Sequence, residues 1–182
     1  MSYSPPSPAV VIPMVGGFSQ WTLMAPTQYA TLPASAVWMT ANTAVYVPIV
    51  VPVTCVIRRL WWANGATVNA SYNLDCGVYA DAGYKPGVKL IATGSTAQGT
   101  ASEVQFVDVT DTTLAPGRYW LALSCSSVSA TVFRGNVGVG RDATLYFTEA
   151  SALPLPATAT PAEPSASATV YPLCGFATTA SP

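Results

Sequence analysis

Short runs of β-branched and aromatic residues, each closed by Gly, Pro, Asn or Asp, recur through the middle of this chain and leave no window for an amphipathic helix. That punctuation is the signature of many short strands. The clearest run is 72–80, where Leu74, Cys76 and Val78 fall on one face and Asn73, Asp75 and Tyr79 on the other. Further strands are expected at 44–51, 53–62, 88–92, 103–109, 118–126, 129–134 and 143–148. The set predicts an all-β fold, a two-sheet antiparallel sandwich of jelly-roll-like form.

Local chemistry refines this picture. Asp81-Ala-Gly83 and Pro86-Gly87 turn the chain between the third and fourth runs and predict a hairpin, because Gly supplies positive φ and Pro fixes φ near −65°. In 118–126, Tyr119, Leu121, Leu123 and Cys125 share one face while Trp120, Ala122 and Ser124 share the other, so both sides of this strand are expected to be covered. Val104 and Phe106 point opposite to Val107 and Val109, so a bulge is expected to re-aim this strand. Beyond 109, the polar stretch Asp108 to Thr113 is expected to cap a turn before Pro116-Gly117 opens the next strand.

A core strand pattern bounded by low-complexity ends divides the chain into three. Residues 1–35 are rich in Pro, Ser and Gly and read as an extended N-terminal arm, 36–149 as the β-sandwich domain, and 150–182 as a Pro/Ala/Ser/Thr-rich C-terminal arm. Ordering such arms needs a surface to lie on, and neighbouring subunits are the expected surface. The isolated aromatics Phe18, Trp21, Tyr29, Tyr171 and Phe176 are the candidate contacts of those arms.

Charge decides which functions remain. Charged residues make up 8% of the chain, with 7 basic against 8 acidic and no histidine, where an ordinary soluble domain carries about 25%. A surface so poor in ions is expected to end up covered by protein. Serine–histidine and cysteine–histidine catalysis is excluded, and Asp75, Asp81, Glu103, Asp108, Asp111, Asp142 and Glu149 fall mostly at strand ends or polar turns, where capping and solvation account for them. No enzyme, no metal and no cofactor is therefore expected. Asp108 and Asp111 offer too few oxygens for Ca²⁺. Gly135, Gly138 and Gly140 lack the Lys-Ser/Thr ending of a phosphate loop.

Basic residues form no stripe, which argues against nucleic acid, and no stretch of about 18 apolar residues supports a membrane span. The prolines near the N-terminus break any signal-peptide pattern, so synthesis in the cytoplasm of the producing cell is expected. Cys55, Cys76, Cys125 and Cys174 lie far apart in sequence. They read as free thiols packed as small hydrophobes, while three disulfide connectivities remain formally open.

Four segments, TAVYVPIVVP (Thr43 to Pro52), RLWWANGATV (Arg59 to Val68), CGVYADAG (Cys76 to Gly83) and DVTDTTLAPGRYWLAL (Asp108 to Leu123), together resemble small β-sandwich structural proteins of tailed-bacteriophage virions. The resemblance spans roughly residues 40–135. It implies a virion location, a capsid decoration or tail-associated role, a homo-oligomer with the trimer as the expected copy number, and other virion proteins as partners. No catalytic residue comes with it.

The aromatics Trp61, Trp62, Tyr79, Tyr84 and Trp120 are candidates for a subunit interface or for stacking on a host glycan. Adjacent Trp61 and Trp62 must take opposite faces of their strand, which puts one in the core. Arg58 and Arg59 flank the same strand on opposite faces, and Arg134 and Arg141 are read equally as interface partners for carboxylates or as solvated rim charge.

Overall fold

The computed structural model describes residues 34–135, 146–150, 152–162 and 171–178, together with the backbone of 14–15 and 18–19. All regular structure among them is β, in antiparallel pairs. The larger sheet runs in the order β12 (Phe147–Glu149), β4 (Thr43–Val51), β10 (Gly117–Cys125), β6 (Asn73–Asp81), β7 (Pro86–Ala92), with the short β8 (Thr96–Ala97) also paired to β6. Facing it, β14 (Cys174–Ala177), β5 (Cys55–Ala63) and β9 (Val104–Leu114) form a smaller sheet. A third sheet of β13 (Tyr171–Pro172), β11 (Thr131–Gly135) and β3 (Ala34–Val37) completes the body. β1 (Met14–Val15) and β2 (Phe18–Ser19) pair with each other.

The core lies between the two main sheets. Val45, Ile49 and Val51 of β4, Leu121, Leu123 and Cys125 of β10, and Leu74, Cys76 and Val78 of β6 point inward from the larger one. Ile57, Leu60 and Trp62 of β5, with Cys174 and Phe176 of β14, meet them from the other. The period-2 pattern is the cause: β10 pairs β4 and β6 without interruption, Leu121 lying between Val47 and Val78, so residues of one parity in all three strands fall on the same side. Trp62 satisfies its buried indole by donating to Asn64 Oδ1 at 3.0 Å.

One expectation gains a position and another shifts. β9 alternates regularly, Phe106 facing Trp61 outward and Val107 facing Leu60 inward, since residues an odd number apart take opposite faces anyway. The irregularity sits further on, where one residue of β5, Arg58, opposes Val109 to Asp111 of β9. The stretch Asp108 to Thr113 is accordingly strand rather than turn. Asp108 pairs with Arg59, and Asp111 with Arg58 at 3.4 Å, which gives these carboxylates a cross-strand role in place of capping.

Candidate functional site

The second face of the larger sheet carries Ala44, Tyr46, Tyr79, Trp120 and Ala122, enough ring surface for a binding platform. It is filled by the chain itself. After β12, residues 152–162 cross this face as a strap and press Ala152, Leu155 and Ala159 onto the rings, with Phe147 of β12 edge-on to Trp120 at 5.3 Å. Gly77 is what admits Leu155: a Cβ there would come within 2.9 Å of the Leu155 Cδ1 and 3.0 Å of the Ile91 carbonyl.

With no regular ladder of its own, the strap depends on side chains of the sheet. The Leu155 N–H donates to Asp75 Oδ2 at 2.9 Å, the Tyr79 hydroxyl donates to the Pro156 carbonyl at 2.6 Å, and Lys89 Nζ donates to the Leu155 carbonyl at 2.6 Å. Backbone bonds join Lys89 N–H to Ala157 and Ala159 N–H to Gly87. On the return, Glu149 accepts from the Tyr46 hydroxyl at 2.7 Å and from Thr160 N–H and Oγ1 at 3.0 Å. Burial raises the Asp75 carboxyl above the usual range, although the bonds from Leu155 and Thr93 and the charge of Lys89 pull the other way. Burial likewise pushes the Tyr46 and Tyr79 hydroxyls up, so both remain donors.

One corner beside the strap stays open. The β6–β7 hairpin turns through Gly83 and Tyr84 at φ 68° and 67°, the paired positive values of a tight two-residue turn. Gly tolerates this, but a tyrosine in the left-handed region costs roughly 1–2 kcal/mol. Its ring is 73% exposed and lies over the Arg118 guanidinium, Cζ to centroid 4.7 Å. The same guanidinium also meets the Trp120 ring at 5.1 Å. Asp81 ties the cluster together: one oxygen accepts from Trp120 Nε1 at 2.8 Å, the other from Tyr84 N–H at 3.2 Å, and Arg118 Nε stands 3.4 Å away. Val50, 55% exposed, is the direct cross-strand neighbour of Arg118.

The corner thus offers an exposed aromatic beside a cation that touches two rings, with an apolar side chain across the strand from that cation. Such groups contribute about 0.5–1 kcal/mol of cation–π attraction when exposed. Arg118 Nε has no hydrogen-bond acceptor among the described residues. The arrangement suits docking onto an amphipathic surface.

The five aromatics expected to serve contact are divided by the structure. Trp62 is core; Trp61 is buried on the outer side of the smaller sheet between Phe106 and Gly175; Tyr79 and Trp120 lie under the strap. Tyr84 alone of the five stands in solvent. The five do not share one face: Trp61 and Trp62 lie on opposite sides of β5 in the smaller sheet, and residues 152–162 cover Tyr79 and Trp120. Phe176, expected on an arm, is buried in the main core through the pairing of β14 with β5. Tyr171 begins β13 and Phe18 begins β2, while Trp21 and Tyr29 lie outside the described residues.

Among the expected carboxylates, Asp75 and Glu149 hold the strap, Asp81 holds the corner, and Asp108 and Asp111 pair with arginines. Arg134 is half-buried, which lowers its pKa, while Arg141 and Asp142 are outside the described residues. The residue that sequence reasoning passed over is Arg118. Extending the parity of Trp120 and Ala122 back one step would have placed it on the same face. Set beside known protein families, curated proteins and solved structures, the chain matches none.

Proposed function

We propose that this chain is a non-enzymatic structural subunit of a tailed-bacteriophage virion, a head-decoration or tail-associated protein that attaches through uncharged apolar surface. One observation supports the reading above others. The body fills both faces of its larger sheet from within, yet leaves Val50, Tyr84, Val88 and Leu90 in solvent on or beside that sheet. Large apolar side chains left exposed outside an already complete core are suited to contact with another chain. Because few charges need desolvating, attachment of this kind depends weakly on salt. A homo-oligomer, with a trimer as the expected copy number, belongs to the same proposal.

The test is association of the purified chain. Light scattering across salt concentrations should report a multimer whose mass is unchanged between low and high salt, and the chain should co-sediment with virions lacking it. A compact single copy that stays dispersed at high concentration and ignores such virions sinks the reading.

A second reading, a receptor- or glycan-binding module displayed on the virion, is favoured by the Tyr84 ring, exposed and fixed by Arg118 and Asp81. Only Tyr84 among the five expected stacking residues is free to meet a sugar. Glycan binding lost in Tyr84→Asn while the variant still assembles would select this reading. Loss of assembly without any glycan binding by the parent would select the first.

A further inference from the structure

Two thiols from facing sheets meet inside the core. Cys76 stands in the middle of β6 and Cys174 opens β14, both buried in the same apolar cluster. Cys76 Sγ donates to the Trp61 carbonyl of β5 at 3.7 Å, while Cys174 is the direct cross-strand neighbour of Trp62, the next residue of that strand. The two side chains therefore converge on one peptide unit of β5. The neighbouring Cys174 side chain, and then burial, hold the Cys76 thiol well above its ordinary pKa. Both are free thiols in this structure.

We propose that Cys76 and Cys174 are a latent inter-sheet disulfide, formed once the chain meets an oxidising environment and locking its C-terminal strand to the larger sheet. No alternative partner is as well placed. Cys125 lies opposite Leu74 while Cys76 lies opposite Leu123, a diagonal relation that separates Cα atoms by roughly 7–8 Å. A disulfide spans about 4.4–6.8 Å, and the Cys125 thiol is already turned toward the Ser127 carbonyl. Cys55 sits at the far end of β5, opposite Leu114.

The oxidant is a small organic disulfide such as oxidised glutathione. Cys174 loses its proton and its sulfur attacks one sulfur of the oxidant, expelling a thiolate and leaving a mixed disulfide. Cys76 then loses its proton and attacks the Cys174 sulfur, expelling the second thiolate. Two protein thiols are oxidised, the oxidant is reduced to two small thiols, and the two protons end on them. Entry runs through β14, a short strand paired only to β5, whereas β6 is flanked by β10 and β7.

The full chain, refolded from denaturant with oxidised glutathione so that access is not limiting, is then alkylated under denaturing conditions and mapped by mass spectrometry. The expected product keeps two alkylated cysteines, Cys55 and Cys125, and yields a linked peptide containing Cys76 and Cys174. Its urea midpoint rises relative to the reduced chain and returns on adding dithiothreitol. The double variant Cys55→Ser, Cys125→Ser should retain the bond, and Cys174→Ser should lose it. Four alkylated cysteines in the refolded product, or a bond involving Cys55 or Cys125, overturns the inference. The result stands apart from whatever the chain assembles with.

Discussion

Two aromatic regions of the larger sheet meet opposite fates. Tyr46, Tyr79 and Trp120 lie beneath residues 152–162, and the two tyrosine hydroxyls help hold that strap, Tyr79 directly at the Pro156 carbonyl and Tyr46 through Glu149. A hairpin's length away, Tyr84 projects into solvent on a backbone conformation that tyrosine disfavours. Trp120 belongs to both regions, its ring sealed under the strap and its indole N–H tied to Asp81 at the open corner. What separates them is self-coverage. Aromatic content marks where contact is available, but the path of a Pro- and Ala-rich segment decides whether the chain supplies that contact itself.

The strap is the first place to break this comparison. Leu155→Ala removes its main anchor from a fully enclosed site and should destabilise the protein by about 2–5 kcal/mol in urea unfolding, with protease cleavage appearing within 152–162. A loss below about 1 kcal/mol would mean that the strap merely rests on the rings.

Asp75→Asn tests the hydrogen-bonded hold. Asp75 accepts from Leu155 N–H and from the Thr93 hydroxyl through different oxygens, and an amide has one acceptor, so a loss of about 0.5–1.5 kcal/mol is expected at pH 7. The pH dependence has a definite sign. The folded-state pKa of Asp75 is raised, so the folded protein binds its proton more readily than the unfolded chain does. Stability from this group is complete below the unfolded value near 3.9 and is lost as pH rises through the folded one. The advantage of the parent over Asp75→Asn should therefore grow as pH falls from 7 toward 4, read as a difference in urea midpoints. A difference that shrinks on acidification contradicts the assignment.

At the open corner the same scale of change should leave the fold alone. Tyr84→Asn relieves backbone strain of roughly 1–2 kcal/mol and gives up a cation–π contact of about 0.5–1 kcal/mol. Stability should stay level or rise by up to about 1 kcal/mol while attachment to virions or to glycan falls. If the variant unfolds more easily and still attaches, the corner is structural and the contrast with the strap disappears. Smallest of all, Val50→Thr should move stability by no more than about 0.5 kcal/mol, with its effect confined to attachment.

Much of the fold could be read from parity. The inward sets Leu74, Cys76, Val78 and Leu121, Leu123, Cys125 follow from alternation alone, and the Asp81 to Gly87 hairpin follows from its turn residues. The strap could not, because 152–162 has no period, and its hold comes from Asp75, Tyr79 and Lys89, whose partners are backbone groups distant in sequence. The bulge in β9 was expected without a position, because alternation alone does not say where it falls; pairing with β5 sets it at Val109 to Asp111. Arg118 was overlooked because its distinction is positional: it becomes a site component only when a turn brings Tyr84 over it.

Because the strap bonds to Lys89 N–H and the Gly87 carbonyl, with Thr158 bridging to Val88, it occupies the outward hydrogen-bonding groups at the start of β7. A bare strand margin is a template on which identical chains can stack without limit. Here that margin is partly spoken for within each molecule, so copies crowded together at high local concentration are steered away from fibre growth along β7.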